Sequence, residues 1–363
     1  MRTTVVCLIL LLTRMQAAEP HAEAWLAQTK IAPPLKVPGS LDAWQQQRGE
    51  IRAKLNELLG DLPPRPPVSA FQVIAKEDKG AYTLETIQFD NGAGEMVKGF
   101  LFIPKTATAQ TKAPAILYCH WHGGHYDIGK NELLGTNATP VAPGPALAEA
   151  GYVVLGIDAP CFGERNGQGP DGPQQKGGAG EMTAAKFHLW AGRTLWGMIV
   201  RDDLTALDYL CSRPEVDAAR IGVTGISMGS TRSWWLMALD DRPRAAVCVA
   251  CMTRYEELIR AGMLKAHGIY YFVPGMLKHF DTEAVIAIAA PRPMLFMTGD
   301  QDGGSPIEGV KHLGKIVSQV YALHGADSLQ RFENTIYPGI GHVYLPEMWD
   351  KTVKWLDRWV KAP

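Results

Sequence analysis

Ile221-Gly222-Val223-Thr224-Gly225-Ile226-Ser227-Met228-Gly229 is the stretch whose reading decides the fold. An apolar run suited to a buried strand leads directly into G-x-S-x-G, and a helix-like segment follows from Thr231 to Leu239. A serine placed between a strand and a helix sits on a strained turn, the nucleophile elbow, where flanking side chains would collide with the neighbouring strand and helix. Glycine at 225 and 229 relieves that collision. The pattern alone arises by chance in many chains, so its meaning comes from the strand before it and the helix after it.

A nucleophilic serine needs a base, and the base needs an orienting acid, which this elbow type supplies in the chain order Ser, Asp, His. Pro293-Met294-Leu295-Phe296-Met297-Thr298 reads as a buried strand and runs into the carboxylate-rich turn Gly299-Asp300-Gln301-Asp302. Asp302, deeper in the loop, is the expected acid, and Asp300 is expected to organise the turn through its own backbone. One strand later, Pro338-Gly339-Ile340-Gly341-His342 is a Gly-rich loop ahead of an amphipathic helix starting near Pro346, with Trp349, Val353, Leu356 and Val360 on one face. His342 is therefore the candidate base, whereas His312 and His324 fall within or at the end of a helix.

Acyl transfer also needs N–H donors aimed at the developing oxyanion. Met228, directly after the serine, supplies one, and Gly124 is assigned the other, with Gly123 its rival, from the loop His120-Trp121-His122-Gly123-Gly124-His125 that follows the strand-like Ala115–Cys119. The same loop carries a competing chemistry. Its H-x-H-x-x-H spacing resembles a zinc signature of metallo-β-lactamase-like hydrolases, although Gly124 stands where that signature has aspartate. A metal at His120, His122 and His125 would leave the elbow, Asp302 and His342 without a role, so no metal and no cofactor is expected.

Strand-like runs alternate with helical ones at Ala115–Cys119, Val153–Ile157, Ile221–Thr224, Ala245–Cys251, Met294–Thr298 and Arg331–Tyr337. That alternation argues for α/β architecture, a mostly parallel sheet with helices on both faces. Tyr82–Phe89 and Val97–Ile103, joined through Asn91-Gly92, read as an antiparallel pair leading into it. Upstream, a helix is expected from about Leu41 to Leu59, N-capped by Ser40 and followed by Gly60, with 22–38 as a loosely structured lead-in. The expected organisation is a signal segment 1–18, a lead-in and helix 19–70, and a catalytic domain 71–363. The Gly-rich run 161–180 leaves the carboxyl edge of the sheet and is either a wall of the site or a solvated linker; within it Glu164 and Arg165 read as an ion pair, and Asp158 as a strand-end cap.

The chain has 363 residues, 46% of them hydrophobic, and a formal net charge of −1. That is enough apolar content for a large core, and the near-neutral charge excludes the basic surface expected of a nucleic-acid or anionic-membrane binder. Arg2, the apolar run Val5–Leu12 and Ala17-Ala18 resemble a secretory signal peptide, and the run is too short to span a bilayer. A secreted or periplasmic protein without a stable membrane anchor is expected. Outside that segment lie Cys119, Cys161, Cys211, Cys248 and Cys251, an odd set whose default is buried free thiols; Cys119 and Cys161 end successive predicted strands and could bridge in an oxidising compartment.

Taken together, the 119–125 loop, Asp158-Ala159-Pro160-Cys161-Phe162-Gly163-Glu164-Arg165, Arg201-Asp202-Asp203-Leu204, the elbow, Gly299–Asp302 and Gly341-His342 resemble the α/β-hydrolase superfamily, in its dienelactone-hydrolase-like and acetyl-xylan-esterase-like bacterial branch. The resemblance runs from about Tyr82 to Trp359. It implies the α/β-hydrolase fold and a serine esterase with Ser227 as nucleophile, Asp302 as acid and His342 as base, acting on a small-molecule or carbohydrate ester. Dienelactone hydrolase itself uses cysteine, so serine here favours ordinary esters. A serine peptidase on the same fold is the alternative, and a non-catalytic binding module the more remote one.

Overall fold

A computed structural model describes residues 20–362, so the expected signal segment 1–18 lies outside the described residues. The described residues open with a helix, α1 (Pro20–Ala27), where sequence suggested only a loose lead-in. Next comes α2 (Leu41–Leu59), which has the expected ends: Ser40 Oγ accepts the Ala43 N–H at 3.3 Å, and Gly60 closes the helix with a φ of 88°. Three antiparallel strands follow: β1 (Gln72–Asp78), β2 (Tyr82–Asp90) and β3 (Met96–Pro104). β1 escaped the sequence reading because all its residues are exposed, so it lacks the apolar alternation that marks a half-buried strand.

From there strands and helices alternate: β4 (Ala113–Tyr118), α3 (Pro143–Glu149), β5 (Val153–Ile157), α4 (Gly177–Trp190), α5 (Leu195–Ser212), β6 (Val216–Ile226), α6 (Met228–Leu239) and β7 (Pro243–Val249). The chain then passes through α7 (Tyr255–Arg260), α8 (Thr282–Ala287), β8 (Met294–Gly299), α9 (Ile307–Leu323), β9 (Phe332–Tyr337) and α10 (Pro346–Leu356). The strands form one sheet in the order β1-β2-β3-β5-β4-β6-β7-β8-β9. β3 meets β5 antiparallel, and every pairing from β5 to β9 is parallel.

Successive side chains on a strand face opposite ways, and the two faces feed two separate cores. Ala115, Leu117, Ala246 and Cys248 pack with Trp44, Leu55, Ile199, Trp234, Trp235 and Val317 from α2, α5, α6 and α9. Ile116, Tyr118, Val247 and Val249 face the other way, onto Leu147 of α3 and Met348, Trp349 and Leu356 of α10. The sheet is thus covered on both faces, which is why its central strands are continuous apolar runs.

The 161–180 segment is pinned at its start. Arg165 is buried and pairs with Glu95 and with Asp202, the latter at 2.8 Å, while Glu164 pairs with Lys130 at 2.8 Å and with Lys98. The expected Glu164–Arg165 pair does not form, because adjacent side chains diverge and each finds its partner on another element. Asp158 does cap its strand end, accepting the N–H groups of Lys130 and Glu164. The five described cysteines are free thiols, so Cys119 and Cys161 are not bridged. Burial pushes both thiols up to about 12, leaving little thiolate to start disulfide exchange.

Trp44 and Leu55 of α2 are fully buried in the same core as α6. Trp44→Ala should therefore destabilise the whole protein by about 3–5 kcal/mol, seen as one urea transition shifted to lower midpoint by both circular dichroism and fluorescence. A mutant with an unchanged main transition would mean that α2 is an independent appendage.

Candidate active site

Ser227 lies between β6 and α6 with φ 60° and ψ −121°, a backbone conformation that L-residues adopt only when the surroundings enforce it. The enforcement is visible: the Ser227 N–H donates to Val249 O at 2.8 Å, and Ser227 O accepts the Thr231 N–H at 3.0 Å. Both glycines of the motif are required by close approach. A Cβ at Gly225 would stand 2.2 Å from Cys119 O, and one at Gly229 only 2.0 Å from the same oxygen. The elbow thus presses against the end of β4, where the 120–125 loop begins.

Asp302 and His342 come together from the loops after β8 and β9. His342 Nδ1 is 2.9 Å from Asp302 Oδ2, and the other carboxylate oxygen of Asp302 accepts the Gly304 N–H at 2.9 Å. Burial alone would raise the Asp302 carboxyl, but the His342 contact, with Gly304 and Ser305, outweighs it and holds the group below the ordinary carboxylate range. The two loops are laced together: Asp300 N–H donates to Tyr337 O at 3.1 Å and Gln301 N–H to Ile340 O at 2.8 Å. Gly299 makes this passage possible, since a Cβ there would meet Ile340 O at 2.1 Å. Asp300 does not organise its own turn as expected. Its carboxylate accepts the Gly339 N–H at 2.7 Å, so it steadies the histidine loop instead.

The Ser227 hydroxyl lies 3.7 Å from Cys251 Sγ, and among the described residues no hydrogen bond joins it to His342. Such contacts are often loose without substrate and tighten in the reacting complex. Met228 is the first residue of α6, so its N–H has no partner within the helix. The Gly124 N–H, expected to face the oxyanion, donates to His122 Nδ1 at 3.0 Å. Trp121 gives its N–H to Glu132 Oε2 at 2.6 Å, and His125 gives its own to His122 O at 2.9 Å. Within this loop, that leaves the N–H groups of His120, His122 and Gly123 as the remaining donors.

The three histidines of the loop do not converge. His120 is buried; its Nδ1 is 2.7 Å from Trp121 O and its Nε2 accepts the Ala159 N–H at 3.0 Å. Burial, reinforced by the nearby Arg232 charge, holds its imidazole well below the usual histidine range, and it stays neutral. His122 uses Nδ1 for Gly124 and Nε2 for Glu181 Oε2 at 2.9 Å, while the His125 ring stacks on Trp121 with centroids 5.3 Å apart. Both nitrogens of His120 and of His122 already serve protein partners. No group of three or more His, Cys, Asp or Glu residues is placed to hold a metal ion among the described residues.

Several residues that shape the site were not singled out from sequence. Arg232 on α6 forms a fully buried, two-point pair with Asp203 of α5 (2.8 and 2.5 Å) and reaches His120 O at 3.4 Å. Glu132, also buried, accepts from Tyr118 Oη at 2.5 Å as well as from Trp121 N–H; burial lifts its carboxyl to about 7 against the pull of those two donors. The sequence held a signal for the first of these: consecutive charges at 201–203 within an otherwise apolar helix imply buried partners. Glu181, His267 and Tyr270, brought in from distant segments, carried no such signal.

Residues 33–313 match the Abhydrolase family. YtaP of Bacillus subtilis (strain 168), provisionally named a hydrolase, is 35% identical over 86% of this chain and 100% of its own length. Among solved structures, a Bacteroides fragilis NCTC 9343 protein provisionally named an acetyl xylan esterase superposes with a TM-score of 0.69 at 19% identity, covering 94% of this chain and 89% of that one. A glucuronoyl esterase from Solibacter usitatus does so with a TM-score of 0.64 at 18% identity, covering 90% and 98%. With its elbow, its sheet order and this match over most of its length, the chain belongs to the Abhydrolase family and has the α/β-hydrolase fold.

Proposed function

We propose that this protein is a serine carboxylic-ester hydrolase working through Ser227, His342 and Asp302 and an acyl-enzyme intermediate, on acetyl or other acyl esters of carbohydrates. The observation that carries the reading is the 2.9 Å His342–Asp302 contact, made on two laced loops beside a serine held at positive φ on the elbow. The names of the two similar structures, an acetyl xylan and a glucuronoyl esterase, favour a carbohydrate ester. The signal-like N-terminal run favours action outside the cytoplasm, and no described helix is long and apolar enough to cross a membrane.

In this mechanism His342 Nε2 takes the Ser227 proton as Oγ bonds to the ester carbonyl carbon. Asp302, charged and buried, fixes the tautomer with Nδ1–H toward itself and stabilises the imidazolium. The oxyanion is met by Met228 N–H and by a backbone donor from the 120–125 loop. Collapse breaks the carbon–oxygen bond to the alcohol, which leaves with the proton from His342. Water, activated by the same imidazole, then attacks the acyl-enzyme and releases the carboxylic acid and free Ser227.

Ser227→Ala should leave a folded protein whose hydrolysis of short-chain aryl esters falls by roughly 10⁴ to 10⁶; kcat/KM within tenfold of the parent would remove Ser227 from the mechanism. Asp302→Asn should cost about 10⁴ in kcat, since the amide favours the wrong tautomer. Asp300→Asn, which loosens only the Gly339 contact, should cost far less, and the opposite ranking in steady-state kinetics would transfer the acid role to Asp300.

A further inference from the structure

We propose that Cys251 and Tyr270 limit the acyl group to about acetyl size, so that the bulk of the substrate must lie on its alcohol side; the inference rests on the ester-hydrolase reading above. On one flank of the nucleophile, Cys251 places Sγ 3.7 Å from Ser227 Oγ. It is held rigidly: φ is 51°, its N–H donates to Ser305 Oγ at 2.9 Å, and its carbonyl accepts the Trp234 indole N–H at 3.4 Å. It is also 3% exposed.

Cys251 belongs to the long connection between β7 and β8, whose later residues extend the same wall. His267 in that connection lies with Nε2 3.0 Å from Gly304 O of the acid loop and stacks on Tyr271 with ring centroids 4.0 Å apart. Tyr270 stacks on His122 at 4.9 Å and leans on Trp196 at 5.9 Å. The connection therefore bridges the acid loop and the 120–125 loop across the site. Tyr270 is buried, and burial together with the neighbouring Cys251 thiol raises its phenol. The opposite flank is open: the His342 side chain is 35% exposed and Val343 beyond it is exposed.

Reaction chemistry decides which half of the ester meets which flank. The leaving alkoxide must face His342 to receive its proton, so the acyl substituent is directed away from His342, toward Cys251 and Tyr270. A rigid, aromatic-backed wall this close to Ser227 Oγ would confine the acyl substituent to about methyl size, because close-packed interiors give way little.

The test is kcat/KM on p-nitrophenyl acetate, butyrate and octanoate for the parent, Cys251→Gly, Cys251→Ala and Tyr270→Ala, with folding checked by circular dichroism. The parent should favour acetate over butyrate by about tenfold or more, since butyrate adds two methylenes and a single one can command about 10–200-fold in a tight pocket. Cys251→Gly, which also suits the positive φ, and Tyr270→Ala should each raise the butyrate-to-acetate ratio about tenfold; Cys251→Ala, the milder change, should raise it less. A parent that cleaves octanoate as well as acetate overturns the inference, as do folded variants with the parental profile. Failure to hydrolyse any of the three esters in a Ser227-dependent way overturns the esterase reading beneath it.

Discussion

The end of β4 and the turn after β6 approach so closely that Cys119 O occupies the space two Cβ atoms would need, at Gly225 and at Gly229. Much of the site depends on this approach. It forces Ser227 into positive φ, lifts its side chain out of the sheet, and brings the N-terminus of α6 beside the loop that starts at His120. The strain at Ser227 is of the order of 1–3 kcal/mol and persists only because neighbours over-determine it. Those neighbours are the N–H donated to Val249 O, the Thr231 N–H received, and an α6 whose Trp234, Trp235, Leu236 and Met237 are buried.

A second layer of polar contacts holds the loops around the elbow. Arg232–Asp203 is buried, and breaking one partner of such a pair typically costs about 3–5 kcal/mol, because the other charge is left uncompensated. Through the Arg232 contact to His120 O, this pair links α6 to the 120–125 loop. Glu132 fixes the Trp121 N–H from the other side. These groups do not touch the reacting atoms in the proposed mechanism; they keep the loop backbone where its free donors can face Ser227.

The architecture was legible because it is written in local patterns. Apolar runs became β4, β5, β7, β8 and the second half of β6, Ser40 and Gly60 bounded α2 as expected, and the sheet is mostly parallel with helices on both faces. The elbow was legible because a strained turn needs glycine at fixed offsets. What sequence could not give was pairing over distance. Arg232 meets Asp203 from 29 residues away and Glu181 meets His122 from 59; the charges at 201–203 imply buried partners, but local spacing names neither one. The same holds for the Gly124 N–H, which donates to the ring of His122 in a side-chain turn that local spacing does not announce. Likewise Asp300 could be set apart from Asp302, but its grip on Gly339 across 39 residues could not be foreseen.

The central claim is that Ser227 becomes covalently acylated, and it is tested most directly by treating the active protein with an aryl phosphonate ester and locating the adduct by peptide mass spectrometry. The account predicts one phosphonyl group per chain, on Ser227, with activity lost in proportion to labelling. An adduct on another residue that tracks the loss of activity, or full activity after complete Ser227 labelling, would contradict it.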